Sequence, residues 1–365
     1  MQLKQLFLLF VLFLKVICSY GQGAPQDKLN TLGAEVYLKI ASELMTVRKD
    51  SPHQWQSLFQ TPIYQMLIAG QAVDTNTLKQ EMLHVFASTT ATSNTTFSVN
   101  EKYHEAYKSQ INELERYIRL LHTSNIKDSV KVLLHPYLPV RLQSEDLFPT
   151  LFYLNYGRAE ATGLGGIVIN DLLLSYRIDR YKFGLLAAHE AFHSIVSVAF
   201  QQKLKKDIDY NAADFNLLYF LQNVSEEGIA DLIDKPLLLR DNSPLFQELK
   251  QMTENDEEFS LTFIRRLDSV LAIISVSEQF PSQYRSFADF ATSFGKNGGH
   301  IPGRFMGKII KNAGMLGAHL ETIEDPISFI LTYNQAVGKS KQKYPAFSRE
   351  SVVYLQKLRA RYWQE

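Results

Sequence analysis

Residues 184–200 read GLLAAHEAFHSIVSVAF, and this stretch decides the fold of its surroundings. It holds no proline and no internal glycine, and apolar side chains occupy nearly every face, so it predicts a buried helix. His189 and His193 stand four positions apart, with Glu190 between them. On a helix this spacing places both imidazoles on one face, one turn apart, where they can bind a single metal ion.

A single histidine on an apolar helix is usually an ordinary packed residue. Two imidazoles and a carboxylate within five positions are not expected to be ordinary packed residues. Each is costly to bury unless it is paired or binds a metal. The pattern H-E-x-x-H on a helix is typical of zinc hydrolases, in which the glutamate is the general base. We therefore expect His189 and His193 to be zinc ligands.

A third ligand is offered by residues 225–231, which read SEEGIAD. Glu227 follows His193 by 34 positions (227 − 193) on a segment with helical spacing, and Asp231 stands one turn beyond it. Glu227 would complete a His, His, Glu set with the fourth tetrahedral position open for water. Asp231 would accept the remaining N–H of a liganding histidine. The alternative is that these acidic residues form only the solvated face of a surface helix.

These motifs resemble those of the gluzincin metallopeptidases, the thermolysin-like group of zinc enzymes. In that group H-E-x-x-H is followed by a ligand glutamate in an E-x-x-x-D or E-G-x-A setting, and residues 227–231 satisfy both forms. The resemblance selects Glu227 over Glu226 and implies a secreted zinc-dependent peptidase. The metzincin pattern H-E-x-x-H-x-x-G-x-x-H is excluded, because position 196 is Val and position 199 is Ala.

The resemblance extends from about Thr150 to the helix after Pro302, and it includes a glycine-rich turn at residues 297–303, NGGHIPG. His300 in this turn is similar to the histidine that faces the oxyanion in thermolysin-type enzymes. Tyr210 is a second candidate for that donor. The alternative is that His300 is a surface-loop residue without a role.

Together these parts predict hydrolysis of a peptide bond in a peptide or protein substrate. One zinc ion on His189, His193 and Glu227 would lower the pKa of its bound water, and Glu190 would take the proton and deliver it to the leaving amine. Zinc and His300 would stabilise the oxyanion. Two alternatives stay open: a zinc hydrolase of a non-peptide amide, and a peptide-binding protein on the same fold that has lost turnover. An intact Glu190 argues against the second.

Residues 1–23 predict a signal peptide. Lys4 supplies a positive charge, Leu6 to Leu14 is an apolar run too short to span a bilayer, and small residues follow Ser19. We therefore expect an exported protein, secreted or periplasmic. Lipoprotein anchoring through Cys18 is the less favoured alternative, because Ile17 stands where a small residue is needed.

The composition excludes some classes of function. Lys plus Arg and Asp plus Glu balance at 38 each, so there is no basic surface of the kind that binds nucleic acid. No second apolar run approaches the length of a membrane-spanning helix. The sequence predicts an α+β fold that is predominantly helical, with helical lobes at 24–126 and 237–365 around a zinc-binding core at 127–236.

Helical periodicity predicts three or four helices in a wholly helical first lobe, at Leu32 to Val47, Trp55 to Leu67, Leu78 to Phe86 and Tyr103 to Leu121. The core begins with β-type runs at Val130 to Leu134, Leu151 to Tyr156 and Gly166 to Ile169, which predict a small twisted sheet next to the zinc helix. In gluzincin-like enzymes such a sheet presents an edge strand to the substrate backbone, and residues 163–169 are the candidate.

Capping and proline signals place the remaining elements. Asp179 is the candidate cap of the zinc helix, and Pro236 should end the helix that carries Glu227. Further helices are predicted at Phe259 to Phe280, Gly303 to Ala313, Pro326 to Ala336 and Ser348 to Trp363.

Overall fold

A computed structural model gives the fold and describes residues 28–47, 51–87, 97–158, 160–240, 256–294 and 299–364. The predicted signal peptide and Cys18 lie outside the described residues. The described chain forms two compact units. The first takes the residues up to Leu133 and Phe148–Ser194, and the second takes Leu134–Leu147 and the residues from Ile195 onward. Helices dominate and accompany one mixed sheet, which confirms the predicted α+β class.

The helices that begin in the first unit are α1 (Leu32–Val47), α2 (Pro52–Phe59), α3 (Pro62–Ala69), α4 (Thr75–Phe86), α5 (Val99–Ser109), α6 (Ile111–Thr123), α7 (Ile126–Leu134), α8 (Leu172–Asp179) and α9 (Leu185–Lys203). Two of the predicted helices are each divided in two. Thr61 precedes a proline and is extended, so α2 and α3 are separate. Gln110 has a φ of −125° and separates α5 from α6.

The sheet lies in the first unit, and its strands are β1 (Leu29–Asn30), β2 (Thr150–Leu154), β3 (Ala161–Leu164) and β4 (Ile167–Asp171). The order is β1-β2-β4-β3, with β1, β2 and β4 parallel and β3 antiparallel to β4. The strand predicted at Leu151 to Tyr156 is confirmed as β2. The first lobe is not wholly helical, because β1 pairs with β2 and extends the sheet.

The strand predicted at Val130 to Leu134 is wrong, because these residues belong to α7. Ile126, Val130 and Leu133 are buried whereas Val132 is exposed. In a strand Val130 and Val132 would share one face, so this burial pattern has the period of a helix and not of a strand.

The run predicted at Gly166 to Ile169 is confirmed as β4, but the candidate edge strand at 163–169 is not one strand. Its residues belong to a hairpin in which β3 and β4 are joined by Gly165 and Gly166. Both glycines have positive φ, 57° and 88°, which a two-residue hairpin turn of type I′ requires. Strand β3 is therefore at one edge of the sheet and β1 at the other, while β4 lies between β2 and β3.

The second unit is helical, with α10 (Ala213–Leu238), α11 (Asp256–Ser277), α12 (Phe287–Phe294), α13 (His300–Asn312), α14 (Leu316–Leu320), α15 (Pro326–Lys339) and α16 (Arg349–Tyr362). The four helices predicted after the core are confirmed as α11, α13, α15 and α16. The sequence patterns did not predict α12 and α14. Among the described residues, no helix combines the length and the apolar character needed to cross a membrane.

The prediction that Pro236 ends α10 is wrong, because the helix continues to Leu238. A proline inside a helix has no N–H, so it leaves the carbonyl four residues earlier without its usual donor. That carbonyl belongs to Leu232, and the hydroxyl of Tyr137 donates to it at 2.8 Å. A side chain 95 positions away in the chain thus replaces the missing backbone hydrogen bond.

A double-mutant cycle tests whether the Tyr137 hydroxyl replaces the backbone N–H that Pro236 lacks. Tyr137→Phe should lower the free energy of unfolding by about 1–2 kcal/mol, since the Leu232 carbonyl loses its donor. In a Pro236→Ala background the new backbone N–H can donate to the same carbonyl, so Tyr137→Phe should cost less. Urea unfolding of the four proteins measures both values. An equal cost in both backgrounds would contradict the assignment.

Candidate metal centre

Helix α9 is fixed at its N-terminus by Asp179. The carboxylate accepts hydrogen bonds from the backbone N–H groups of Gly184 at 2.8 Å and Leu185 at 3.0 Å. The hydroxyl of Tyr117 donates to the same carboxylate at 2.7 Å. The predicted cap is therefore confirmed. It holds the first turn of the helix that carries the H-E-x-x-H residues.

The cap is an unusual carboxyl group because it is buried. Burial raises the pKa of Asp179 to about 6, and the hydrogen bonds from Tyr117, Gly184 and Leu185 oppose this effect without cancelling it. Asp179 therefore binds its proton more tightly in the folded protein than in the unfolded chain, where a pKa of about 3.9 is usual.

His189, Glu190 and His193 are all buried on α9. The Nε2 atoms of His189 and His193 lie 3.2 Å apart. Two nitrogens bound tetrahedrally to one zinc ion at about 2.0–2.1 Å lie about 3.3 Å from each other. The spacing of the two imidazoles therefore fits two ligands of one zinc ion.

The predicted site residues of the second unit, Glu227, Asp231 and His300, lie close together. Glu227 and Asp231 lie on α10, and His300 is the first residue of α13. His300 Nδ1 lies 2.8 Å from Glu227 Oε2 and 3.3 Å from Asp231 Oδ1. Each of the three residues offers one ligand atom, and these atoms lie within 4.8 Å of one another. The alternative of a solvated acidic face is wrong, because the side chain of Asp231 is 1% exposed and that of Glu227 is 13% exposed.

The expectation that His300 occupies a turn between helices is corrected. Gly299 has a φ of 105° and precedes the helix, so His300 begins the first turn of α13. Only glycine adopts this backbone conformation readily, and a Cβ atom at Gly299 would also crowd the backbone of Val224 on α10. Residues 297 and 298 of the predicted turn lie outside the described part of the chain.

Glycines bring α10 and α13 into backbone contact. A Cβ atom on Gly303 would overlap the carbonyl oxygen of Val224, and one on Gly307 would crowd the carbonyl oxygen of Gly228. Backbones can approach this closely only where side chains are absent. The contact places His300, one turn before Gly303, beside Glu227.

Acidic and basic side chains lie next to one another in this part of the second unit. Burial alone would lower the pKa of His300, but the negative charges and hydrogen bonds of Glu227 and Asp231 raise it to about 10. Burial alone would raise the pKa of Asp231, but the charges of Lys235 and His300 hold it below its usual range. Lys235 Nζ lies 3.3 Å from Asp231 Oδ1 and 2.8 Å from Asp234 Oδ2. Lys235 was not predicted, although its spacing of four from Asp231 on one helix is a signal for such a pair.

Glu226 and Tyr210, the alternative candidates for the ligand and for the oxyanion donor, have other contacts. Glu226 is buried and accepts a hydrogen bond from Gln222 Nε2 at 2.6 Å. Tyr210 is exposed, and its ring packs edge-on against Phe215 at 5.1 Å. In the second unit it is thus Glu227, and not Glu226, that lies against His300.

Comparison with known proteins identifies one family. The family model described as "Putative zinc dependent peptidase (DUF5700)" matches residues 55–342, which is more than half of the chain. No curated protein and no solved structure matches the chain.

The buried cap on α9 generates a pH prediction. The stability that the neutral Asp179 contributes is fully present below about pH 4 and is lost as the pH rises through about 6, because the folded pKa is the higher one. Asp179→Asn does not titrate. The excess stability of the parent over this variant should therefore shrink by about 1–3 kcal/mol between pH 4 and pH 7. Urea unfolding across this range measures it, and an excess that is constant or grows with pH would contradict the assignment.

Proposed function

The chain belongs to the family described as "Putative zinc dependent peptidase", and we propose that it hydrolyses peptide bonds with one zinc ion held by His189, His193 and Glu227. The observation that carries this proposal is the 3.2 Å separation of the two imidazole nitrogens on α9. Two imidazole nitrogens and one carboxylate oxygen are a donor set that suits zinc. The gluzincin subtype is part of the proposal and rests on the spacing of H-E-x-x-H and E-G-x-A-D.

A zinc ion held by these three residues would lower the pKa of a bound water to near 7 and would polarise a substrate carbonyl. Glu190 is the proposed general base. It follows His189 directly, is buried on the same helix and is not a proposed ligand. Its carboxylate takes a proton from the attacking water and delivers it to the leaving amine.

His300 is the proposed donor to the oxyanion, with Tyr210 as the second candidate. Its Nδ1 side faces Glu227 and Asp231, so these carboxylates fix the orientation of the ring. A donor held in place before the reaction stabilises developing negative charge without reorganisation. Asp231 Oδ2 is buried and has no hydrogen-bond partner among the described residues, so it can accept the N–H of a zinc-bound histidine.

The substrate is proposed to be an extended peptide or protein segment. Strand β3 is at the edge of the sheet and is partly exposed, and an edge strand binds an extended backbone by adding it to the sheet. This observation favours a peptide over a non-peptide amide, which remains the alternative substrate class. A binding protein without turnover would not need Glu190. We further propose export through the signal peptide at 1–23, with anchoring through Cys18 as the alternative.

Substitutions separate the general base from the ligand. Glu190→Gln should keep zinc and lower kcat by about 10² or more, because it removes the base and not a ligand. Glu227→Ala should reduce the zinc content itself. Glu226→Ala is the matched control, since its carboxylate binds Gln222. The measurements are zinc per polypeptide and hydrolysis of a mixed peptide library, with and without a chelator.

Three results would contradict the proposal. One is a parent protein that holds no zinc and does not respond to added zinc. Another is loss of zinc in Glu226→Ala with retention in Glu227→Ala, which would move the ligand by one residue. The third is a zinc-loaded parent that cleaves non-peptide amides but no peptide.

A further inference from the structure

The β3–β4 hairpin lies directly on the backbone of α9 at the proposed general base. A Cβ atom on Gly163 would overlap the carbonyl oxygen of Glu190. Strand and helix are therefore as close as two backbones can be, and any side chain at position 163 would force them apart. The distance between the backbones of β3 and α9 is therefore determined by the contact of Gly163 with Glu190.

A second contact holds the turn of the same hairpin. The backbone N–H of Gly166 donates to Ser194 Oγ at 2.9 Å. Ser194 is fully buried whereas Gly166 is partly exposed, so the acceptor of this hydrogen bond is shielded from water. Ser194 stands four residues after Glu190 on α9 and directly after His193. The two contacts lie one helical turn apart on α9. Together they fix the distance of the hairpin from the helix and its position along the helix axis.

Strand β4 of the hairpin is held by its pairing with β2, whereas β3 has few other contacts within the sheet. Strand β3 has four residues and pairs within the described sheet only with β4. Its turn consists of two glycines with positive φ, and no side chain extends from them. Two hydrogen bonds hold the tip of the hairpin: the Thr150 N–H donates to the Gly166 carbonyl at 2.9 Å, and the Gly166 N–H donates to Ser194. The first joins the tip to β2, and the second joins it to α9, so the bond to Ser194 is the one that sets its position along the helix.

We propose that Ser194 is a positioning residue that holds edge strand β3 in register with Glu190 for an extended peptide substrate. This inference rests on the proposed peptidase function. If the substrate backbone adds to β3, the position of its scissile carbonyl relative to Glu190 depends on the position of β3. A displacement of about 1 Å at a reacting carbonyl can lower the rate by about 10². A substrate too short to pair with β3 does not depend on this register.

The test compares Ser194→Ala with Ser197→Ala, a matched control on the same helix, and with Ser194→Thr, which keeps the hydroxyl. For Ser194→Ala we expect unchanged zinc content and a fall in kcat/KM of about 10-fold or more on a ten-residue peptide. On a blocked dipeptide amide kcat/KM should stay within about 3-fold of the parent. Ser194→Thr should recover most of the loss, and Ser197→Ala should behave like the parent on both substrates.

Amide hydrogen exchange supplies a readout that does not need activity. The Gly166 N–H should exchange about 10-fold faster or more in Ser194→Ala than in the parent, because it loses its buried acceptor. Unchanged exchange at Gly166 would overturn the inference. Equal losses on the long and the short substrate, or no loss on either, would also overturn it and leave the proposed function standing. A parent that binds zinc and cleaves no peptide would overturn the proposed function, and the inference with it.

Discussion

The cost of removing ionisable groups from water is the constraint on which this structure depends. Helix α9 is apolar on nearly every face, yet it buries His189, Glu190 and His193 until they are less than a tenth exposed. Such groups are expensive in a dry interior unless a metal ion or hydrogen bonds replace the lost water. The surroundings hold them in a defined geometry, with the N-terminus of the helix capped by Asp179 and two imidazole nitrogens 3.2 Å apart. This geometry fits the proposed role of the two histidines as zinc ligands.

The same constraint explains the second unit. Asp231 is buried between two cationic groups, His300 and Lys235, and His300 in turn lies against Glu227. Each charge has a neighbour of opposite sign, which offsets the desolvation of the group. The arrangement depends on close backbone contacts. Glycines let α13 meet α10 directly, just as Gly163 lets β3 meet α9. Contacts between backbones vary less than contacts between flexible side chains, so they suit the positioning of reacting groups.

Much of this could be predicted from the sequence, and the failures have physical causes. Short-range signals worked: the H-E-x-x-H spacing predicted a buried helix, and Asp179 predicted its cap. The run at 130–134 was misjudged because β-branched residues fit a strand as well as a helix, and only burial distinguishes the two. Pro236 was misjudged because the hydroxyl that compensates for it comes from Tyr137, far away in the chain. The contact of His300 with Glu227 joins residues 73 positions apart (300 − 227), and no local pattern indicates such a distance.

The central proposal is that one zinc ion is held by the two histidines of α9 and by Glu227. Anomalous diffraction at the zinc absorption edge from crystals of zinc-loaded protein tests it most directly. We predict one anomalous peak, bonded to Nε2 of His189, Nε2 of His193 and a carboxylate oxygen of Glu227 at about 2.0–2.2 Å. A peak bonded to Glu227, Asp231 and His300 without the two α9 histidines, or a peak at another set of residues, would contradict the account.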